Sequence, residues 1–338
     1  MAVKEIFAPH LGHNVKFGRN RPPAHLRTGY RTMARYMAAL PAPPVNFDYA
    51  TMCATAEADV LANDSLGDCT SAGAGHLIDI FTAGGGSPVA ISAAQAIAFY
   101  SQSTGYVPGD PSTDQGGDEV TVLTSWQKKG YDGKGGHAIA GFIAVDPSNQ
   151  AQLASACYYF GGLYFGIELP DTYVTPFPSS NGFVWDVGTP DPNNGHCIVG
   201  VGANAQGIVI NSWGLIGTLT WAAIKELCSD ANGGQVFAVV DPEWVNKQKN
   251  ASPSGLDWAQ LVADFDAIGG KVPAPSPSPS PSPSPSPSPS PAPAPPAAVT
   301  LIQAQEWAQA GLSSAPSLMT RSMAVSHALA GLSASWPK

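Results

Sequence analysis

Apolar residues recur along this chain in two different periods, and the period changes part-way. In the first half they fall at helical spacing, and segments 70–81, 93–100, 122–129 and 150–160 each predict a helix. Asp146-Pro147-Ser148 supplies start chemistry for the last of these. Ala72, Gly73, Ala74 and Gly75 have mixed helix propensity but let a helix pack closely on a sheet. In the second half the apolar runs shorten and become strand-like, at 163–169, 197–202, 207–210 and 236–240. The turn Ala203-Asn204-Ala205-Gln206 splits the middle pair. Helices first and strands later predict an α+β fold, a helical half followed by an antiparallel β-sheet half.

Both periods stop at 273–296, where Pro and Ser alternate almost without exception. Such a segment buries no apolar surface and reads as a disordered, polyproline-II-like spacer. At ~3.1 Å per residue it spans on the order of 70 Å. The chain therefore divides into a lead-in over 1–40, a main domain over 41–270, a Pro-Ser linker over 271–297 and a tail over 298–338. The boundary before the main domain is marked by Leu40-Pro41-Ala42-Pro43-Pro44. The tail reads as two short helices, one over 301–312 and one capped by Ser317, separated by Ser313-Ser314-Ala315-Pro316. About forty residues rarely make an independent core, so the tail reads as an attachment module for a protein or surface partner.

Composition narrows the function classes. Hydrophobic residues are 44% of the 338, enough for a sizeable core, and charged residues are 12%, about half the usual ~25%. Net charge is −9 with Lys plus Arg at 16. The basic residues are thickest in Lys16-Phe17-Gly18-Arg19-Asn20-Arg21 and from Arg27 to Arg35. No aromatic-interleaved stripe follows them, which argues against nucleic acid as a partner and for a solvated basic face. Five cysteines at irregular spacing, with no CxxC pair, make neither a disulfide framework nor a structural zinc site. The first residues lack a signal-peptide apolar run, and no stretch approaches the ~20 apolar residues of a membrane span. The expected location is cytoplasmic or phage- or virion-associated.

Candidate chemistry sits in two segments. One is Asn63-Asp64-Ser65-Leu66-Gly67-Asp68-Cys69-Thr70; the other is Gly195-His196-Cys197 with Asn211-Ser212-Trp213-Gly214 beyond it. A cysteine at a helix start feels the positive end of the dipole, which favours thiolate. Gly67 permits close approach of a substrate backbone. Strand alternation puts Cys197 in the core and turns His196 toward a cleft. Asn211 is placed to accept the His196 ring N–H, and Trp213 to cover that bond. Each residue alone also has a bland reading: inert buried thiol, structural histidine, turn-capping asparagine, core tryptophan. His76 lies two helical turns from Cys69, beyond proton-transfer reach. His137, among glycines and apolar residues, reads as structural.

Taken together these residues resemble the papain-like cysteine peptidases. Asn211-Ser212-Trp213-Gly214 matches that family's Asn-Ser-Trp-Gly unchanged, and His196 heads the preceding apolar strand as the family histidine does. The resemblance implies a two-lobed fold and a Cys69–His196–Asn211 triad. Asn63 stands where the family has an oxyanion-donating Gln, with the Cys69 N–H as second donor. Leu40-Pro41 followed by Val45-Asn46-Phe47-Asp48-Tyr49 resembles the start of the mature family domain. Asp114-Gln115-Gly116-Gly117 resembles the segment whose backbone pairs with the substrate peptide. Substrate contacts are thus expected from Gly67, Gly116, Gly117 and Trp213, with no metal or organic cofactor. Thr70 replaces the family Trp after the nucleophile, and the lead-in is shorter than a typical inhibitory propeptide. The expected activity is thiol hydrolysis of a peptide or related amide bond. A silent papain-like binding or assembly protein and an acyl-transfer enzyme of the same fold are the alternatives.

Overall fold

The computed structural model describes residues 4–27 and 41–267. The Pro-Ser linker and the tail with its two expected helices lie outside the described residues, as do 28–40 of the lead-in. The chain opens with a hairpin, β1 (Glu5–Ala8) and β2 (His13–Lys16), and one helical turn, α1 (Ala24–Arg27). β3 (Phe47–Asp48) and the turn α2 (Ala54–Glu57) lead into the helical half: α3 (Cys69–Gly84), α4 (Ala93–Thr104) and α5 (Glu119–Lys129). The sheet half follows as β4 (Gly141–Ala144), α6 (Gln150–Phe160), β5 (Leu163–Glu168), α7 (Asp171–Val174), β6 (Phe183–Trp185), β7 (Gly195–Ala203), β8 (Gly207–Ser212), β9 (Leu215–Thr220), α8 (Trp221–Leu227) and β10 (Gln235–Val240). α9 (Trp258–Ala267) comes last among the described residues. This is a mixed α+β fold, as the change of period predicts.

The sheet runs β4-β10-β5-β7-β8-β9-β6, with β3 added at the far end of β7. The pairings are antiparallel except β6 against β9. β5 and β7 are buried along their whole length, which is why their sequences show continuous apolar runs instead of alternation. The register puts Ile167 opposite His196 and Val199 opposite Asn211, so β7 and β8 carry the histidine and asparagine on adjacent strands.

α3 is buried from Cys69 to Thr82. A helix apolar on nearly every side must be enclosed on nearly every side. Its approach to β7 is made at Gly73, where a Cβ would lie 3.1 Å from Cys197 Sγ and 3.4 Å from Val199 Cγ1. The expected helix ends at 81, but the observed one runs to Gly84. There a Cβ would meet the Trp244 ring at 2.3 Å. Several elements escape the sequence reading, among them the first hairpin and β9, whose patterns are weak. The β1–β2 hairpin buries only Ala8 and Val15 of its eight residues. β9, with Gly217, Thr218 and Thr220, lacks a clean apolar run. Among the described residues no helix is long and apolar enough to cross a membrane.

Trp244 ties the two halves together. Its ring packs edge-on to Tyr49 at 4.9 Å and to Phe81 at 6.2 Å, and its Nε1 donates to the Tyr159 carbonyl at 3.0 Å. Truncation by Trp244→Ala removes this packing and leaves the Tyr159 carbonyl with only the 3.3 Å bond from Ser254 Oγ. It is expected to cost roughly 3–5 kcal/mol in denaturant unfolding. The same turn buries Asp241, whose Oδ1 accepts from the Glu243 amide at 2.6 Å while Oδ2 has no hydrogen-bond partner. Burial pushes this carboxyl up to about 8. A carboxyl whose folded pKa lies above its unfolded value stabilises the fold below the unfolded value and loses that contribution as pH rises through the folded one. Stability is therefore expected to fall between about pH 4 and pH 8. Asp241→Asn should flatten that slope in a pH series of thermal midpoints.

Candidate active site

Cys69 is the first residue of α3, held by the turn through Asn63, Leu66 and Gly67. Gly67 N–H donates to Asp114 Oδ1 at 3.0 Å, and Asp114 also accepts from the Tyr100 hydroxyl at 2.8 Å. The buried Asp114 thus locks the loop before the cysteine to the loop carrying Gly116 and Gly117. On the opposite side, Gly195 and His196 begin β7.

Between these two sides runs the lead-in. Lys16 N–H donates to the Asn63 carbonyl at 3.0 Å, and Asn63 Nδ2 donates to the Lys16 carbonyl at 3.1 Å. Gly18 and Arg19 both donate to the Gly195 carbonyl, at 3.2 and 3.0 Å. Gly117 N–H donates to Gly18 O at 2.8 Å, and Asn20 N–H returns a bond to Gly117 O at 2.9 Å. Backbone lies on backbone throughout. A Cβ on Gly18 would sit 1.9 Å from Gly67 O, and one on Gly195 would sit 2.1 Å from Arg19 O. Two side chains anchor the strip. Phe17 packs edge-on to His196 and Trp213, at 6.1 and 5.5 Å. Arg19 Nε donates to Glu119 Oε1 at 2.6 Å in a buried ion pair. Within 16–21, Arg21 is exposed as a solvated basic face predicts, but Arg19 is not. Arg19 is inside, because Glu119 is there to pair with it.

His196 is 1% exposed and lies flat on Trp213, ring centroids 3.6 Å apart and planes within 11°. Its Nε2 pairs with Ser212 Oγ at 3.2 Å, and its Nδ1 has no hydrogen-bond partner. Asn211 uses its amide nitrogen on Glu57, donating to the main-chain carbonyl at 2.8 Å and to Oε2 at 2.7 Å. Its Oδ1 has no hydrogen-bond partner. His196, Asn211, Asn63 and His76 together line a cavity of about 20 Å³. Larger cavities of about 390 and 670 Å³ lie elsewhere, and neither is lined by Cys69 or His196.

The electrostatics follow from this cover. Burial pushes the Cys69 thiol up to about 12, reinforced by Asp68 and Glu119 and only partly opposed by backbone hydrogen bonds at Cys197 and Gly18. A displacement of that size is on the order of 4 kcal/mol. A helix terminus contributes about 0.3–1 kcal/mol, up to ~2 in favourable partly buried sites. Desolvation wins, and the thiolate expected from the helix dipole does not form in this arrangement. Burial likewise pulls His196 down to about 3. Thiol and imidazole are both neutral at physiological pH.

The structure brings Gly67, Gly116 and Gly117 to one side of the lead-in strip, while Asn63 bonds to the strip at Lys16 and lines the same small cavity as His196 and Asn211. His196, Asn211 and Trp213 gather on the other side, and Cys69 lies against the Gly18 backbone. His196 Nε2 meets the Ser212 hydroxyl, and Nδ1 has no hydrogen-bond partner, so the expected bond to Asn211 is not formed. Phe17, Arg19, Glu57, Glu119 and Ser212 are contacts the sequence reading passes over. A signal existed for Gly18, a glycine between Phe17 and Arg19 in a run otherwise rich in side-chain bulk. Glu57 gave none.

No family model matches the sequence, and no curated protein matches it. Solved structures do. One is xylellain, a cysteine protease from Xylella fastidiosa: 15% identity, 70% of this chain and 97% of that one, TM-score 0.47. Another is a digestive procathepsin L2 proteinase from the Tenebrio molitor larval midgut: 16% identity, 66% and 78% covered, TM-score 0.46. A third comes from work on the mite allergens Blo t 1 and Der p 1: 14% identity, 67% and 86% covered, TM-score 0.42. The chain resembles the papain-like cysteine proteases. The likeness is one of fold, and the residues of this site rest on their own geometry.

That geometry makes Gly18 a switch for thiol reactivity. Gly18→Ala places a methyl against the Gly67 carbonyl and should lift the strip away. Alkylation of Cys69 at pH 7.5 is then expected to rise about tenfold or more as the thiol regains water. Cys157, buried against the Gly202 carbonyl away from the strip, should keep its slow rate. Peptide mapping by mass spectrometry reads all five sites. An unchanged Cys69 rate would mean that the strip does not control the thiol.

Proposed function

We propose that this chain is a thiol hydrolase that cuts peptide bonds through Cys69, His196 and Asn211. One observation carries the reading. The slit beside Cys69 holds an extended main chain, bonded on one side to Gly117 and on the other to Gly195, with a carbonyl on the Asn63 amide. A slit that takes backbone by backbone is suited to a peptide, whatever its side chains. Once the lead-in strip is displaced, a substrate peptide takes these hydrogen bonds.

In this reading Cys69 Sγ attacks the scissile carbonyl carbon, and its proton passes to His196. The carbonyl oxygen becomes the oxyanion, held by Asn63 Nδ2 and the Cys69 N–H. The C–N bond breaks as His196 returns the proton to the leaving amine. Water, deprotonated by His196, then cleaves the thioester and releases the carboxyl product and the free thiol. Asn211 holds the imidazolium. Its nitrogen is already committed to Glu57, so its oxygen is the end available to the histidine.

Turnover of a fluorogenic peptide by the Gly18→Ala chain is the test. Cys69→Ala and His196→Ala should each abolish it, since the two act as a unit. Asn211→Ala should cost less, and Asn63→Ala roughly 10²-fold. Asn63→Gln should restore or exceed the parent rate if that side chain is an oxyanion donor. Cross-linking of the peptide to added amines in place of cleavage would mark an acyl-transfer enzyme. Fast Cys69 labelling with no turnover of any peptide would mark a binding protein.

A further inference from the structure

Behind the asparagine lies a second cluster that the peptidase reading does not use. Glu57 ends α2, and His76 and Asp79 stand three residues apart on one face of α3. All three are buried, and one donor atom from each lies within 4.8 Å of the other two. Among the described residues this is the one His/Cys/Asp/Glu group of that kind. His76 Nδ1 is 3.6 Å from Glu57 Oε1, too long for a hydrogen bond, and has no other hydrogen-bond partner. Asp79 Oδ1 accepts from the Ile91 amide at 2.8 Å, while its buried Oδ2 has no hydrogen-bond partner. Glu57 Oε2 is taken by Asn211, which leaves Oε1 facing the cluster.

Two carboxyl groups and one imidazole are buried here together, with the Cys53 sulfur 3.9 Å from Glu57 Oε1. Buried polar atoms without a partner, as His76 Nδ1 and Asp79 Oδ2 are, cost free energy away from water. A single cation between them and Glu57 Oε1 would take all three as ligands. The spacing fits. Donors about 2.0–2.2 Å from a tetrahedral ion are roughly 3.3–3.6 Å apart, the separation already present between His76 and Glu57.

We propose that Glu57, His76 and Asp79 form a binding site for a first-row divalent cation, with zinc the best match to one imidazole and two carboxylates. A cavity of about 390 Å³, lined by Asp48, Thr51 and Glu57 among others, gives the ion its approach. The bound cation fixes the Glu57 carboxylate, and Glu57 fixes the Asn211 amide. The site goes beyond the peptidase reading and does not depend on it, because its test is binding.

The intact, tag-free chain is stripped with chelator and titrated with Zn²⁺ by calorimetry, with metal content measured after dialysis. One zinc per chain is expected. His76→Gln and Asp79→Asn, which keep side-chain volume, should each weaken binding about 10²-fold or more while leaving the circular dichroism unchanged. Zinc, and not magnesium, should raise the thermal midpoint of the parent chain by several degrees. This last measurement decides the matter if the variants fail to fold. No stoichiometric zinc, no midpoint shift, or full affinity in both folded variants overturns the proposal and leaves the cluster as an ion pair only.

Discussion

The approach of backbone to backbone at Gly18, Gly116 and Gly195 is the constraint on which the state of this site depends. At these positions a methyl group would fall about 2 Å from a carbonyl oxygen of the facing strand, far inside contact distance. Because nothing protrudes, the slit closes on the lead-in without room for water. From that closure follow the buried thiol, the neutral imidazole and the edge-on packing of Phe17 against His196 and Trp213. The same atoms, uncovered, would face solvent and one another.

This explains which parts of the molecule the sequence discloses. The helical half and the sheet half are written in local periodicity, and α6 at 150–160 coincides with its expected span. The Asn-Ser-Trp-Gly segment fixes the end of β8 and the tryptophan lid because those roles depend on a few neighbouring residues. The seat of Arg19 depends on Glu119, and the tether of Asn211 on Glu57, each far away in the chain. Neither partner carries a local signature: Glu119 reads as an ordinary first-turn acid of α5, and Glu57 as a surface residue of a short turn. Pairings of this kind become visible only when the fold brings the two segments together. The same holds for the reversal at Cys69. A helix start is a local feature and favours thiolate; the cover that removes water comes from residues 16–20, and it contributes more.

The asparagine shows how sheet register and a buried charge combine. Antiparallel pairing of β7 and β8 sets Val199 opposite Asn211 and leaves the Asn211 side chain near the histidine. Register alone does not say which end of an amide points where, since oxygen and nitrogen are nearly the same size. Glu57 resolves the ambiguity. It offers two acceptors, a carbonyl and a carboxylate oxygen, both of which demand the nitrogen. Flipping the amide would set its oxygen against both, leaving a buried carboxylate unpaired at a cost of several kcal/mol. The Asn211 nitrogen is therefore fixed on Glu57, and its oxygen is the end left without a hydrogen-bond partner.

Energetics also indicate how firmly the strip is held. Burying Phe17 contributes about 1.5–3 kcal/mol. Withdrawing Arg19 leaves Glu119 buried without its partner, a loss of about 3 kcal/mol or more unless water follows it in. These sum to roughly 5 kcal/mol before the backbone bonds to Gly117 and Gly195 are counted. At 1.4 kcal/mol per tenfold, the uncovered form is rarer than the covered one by about 10³-fold or more. A free peptide must compete with a segment tethered to the same chain at high effective concentration. In the proposed peptidase reading, strip and substrate compete for the same main-chain groups of Asn63, Gly117 and Gly195. Release of Cys69 thus requires a change in the strip itself, by cleavage, by loss of the Arg19–Glu119 pair or by a partner that takes Phe17.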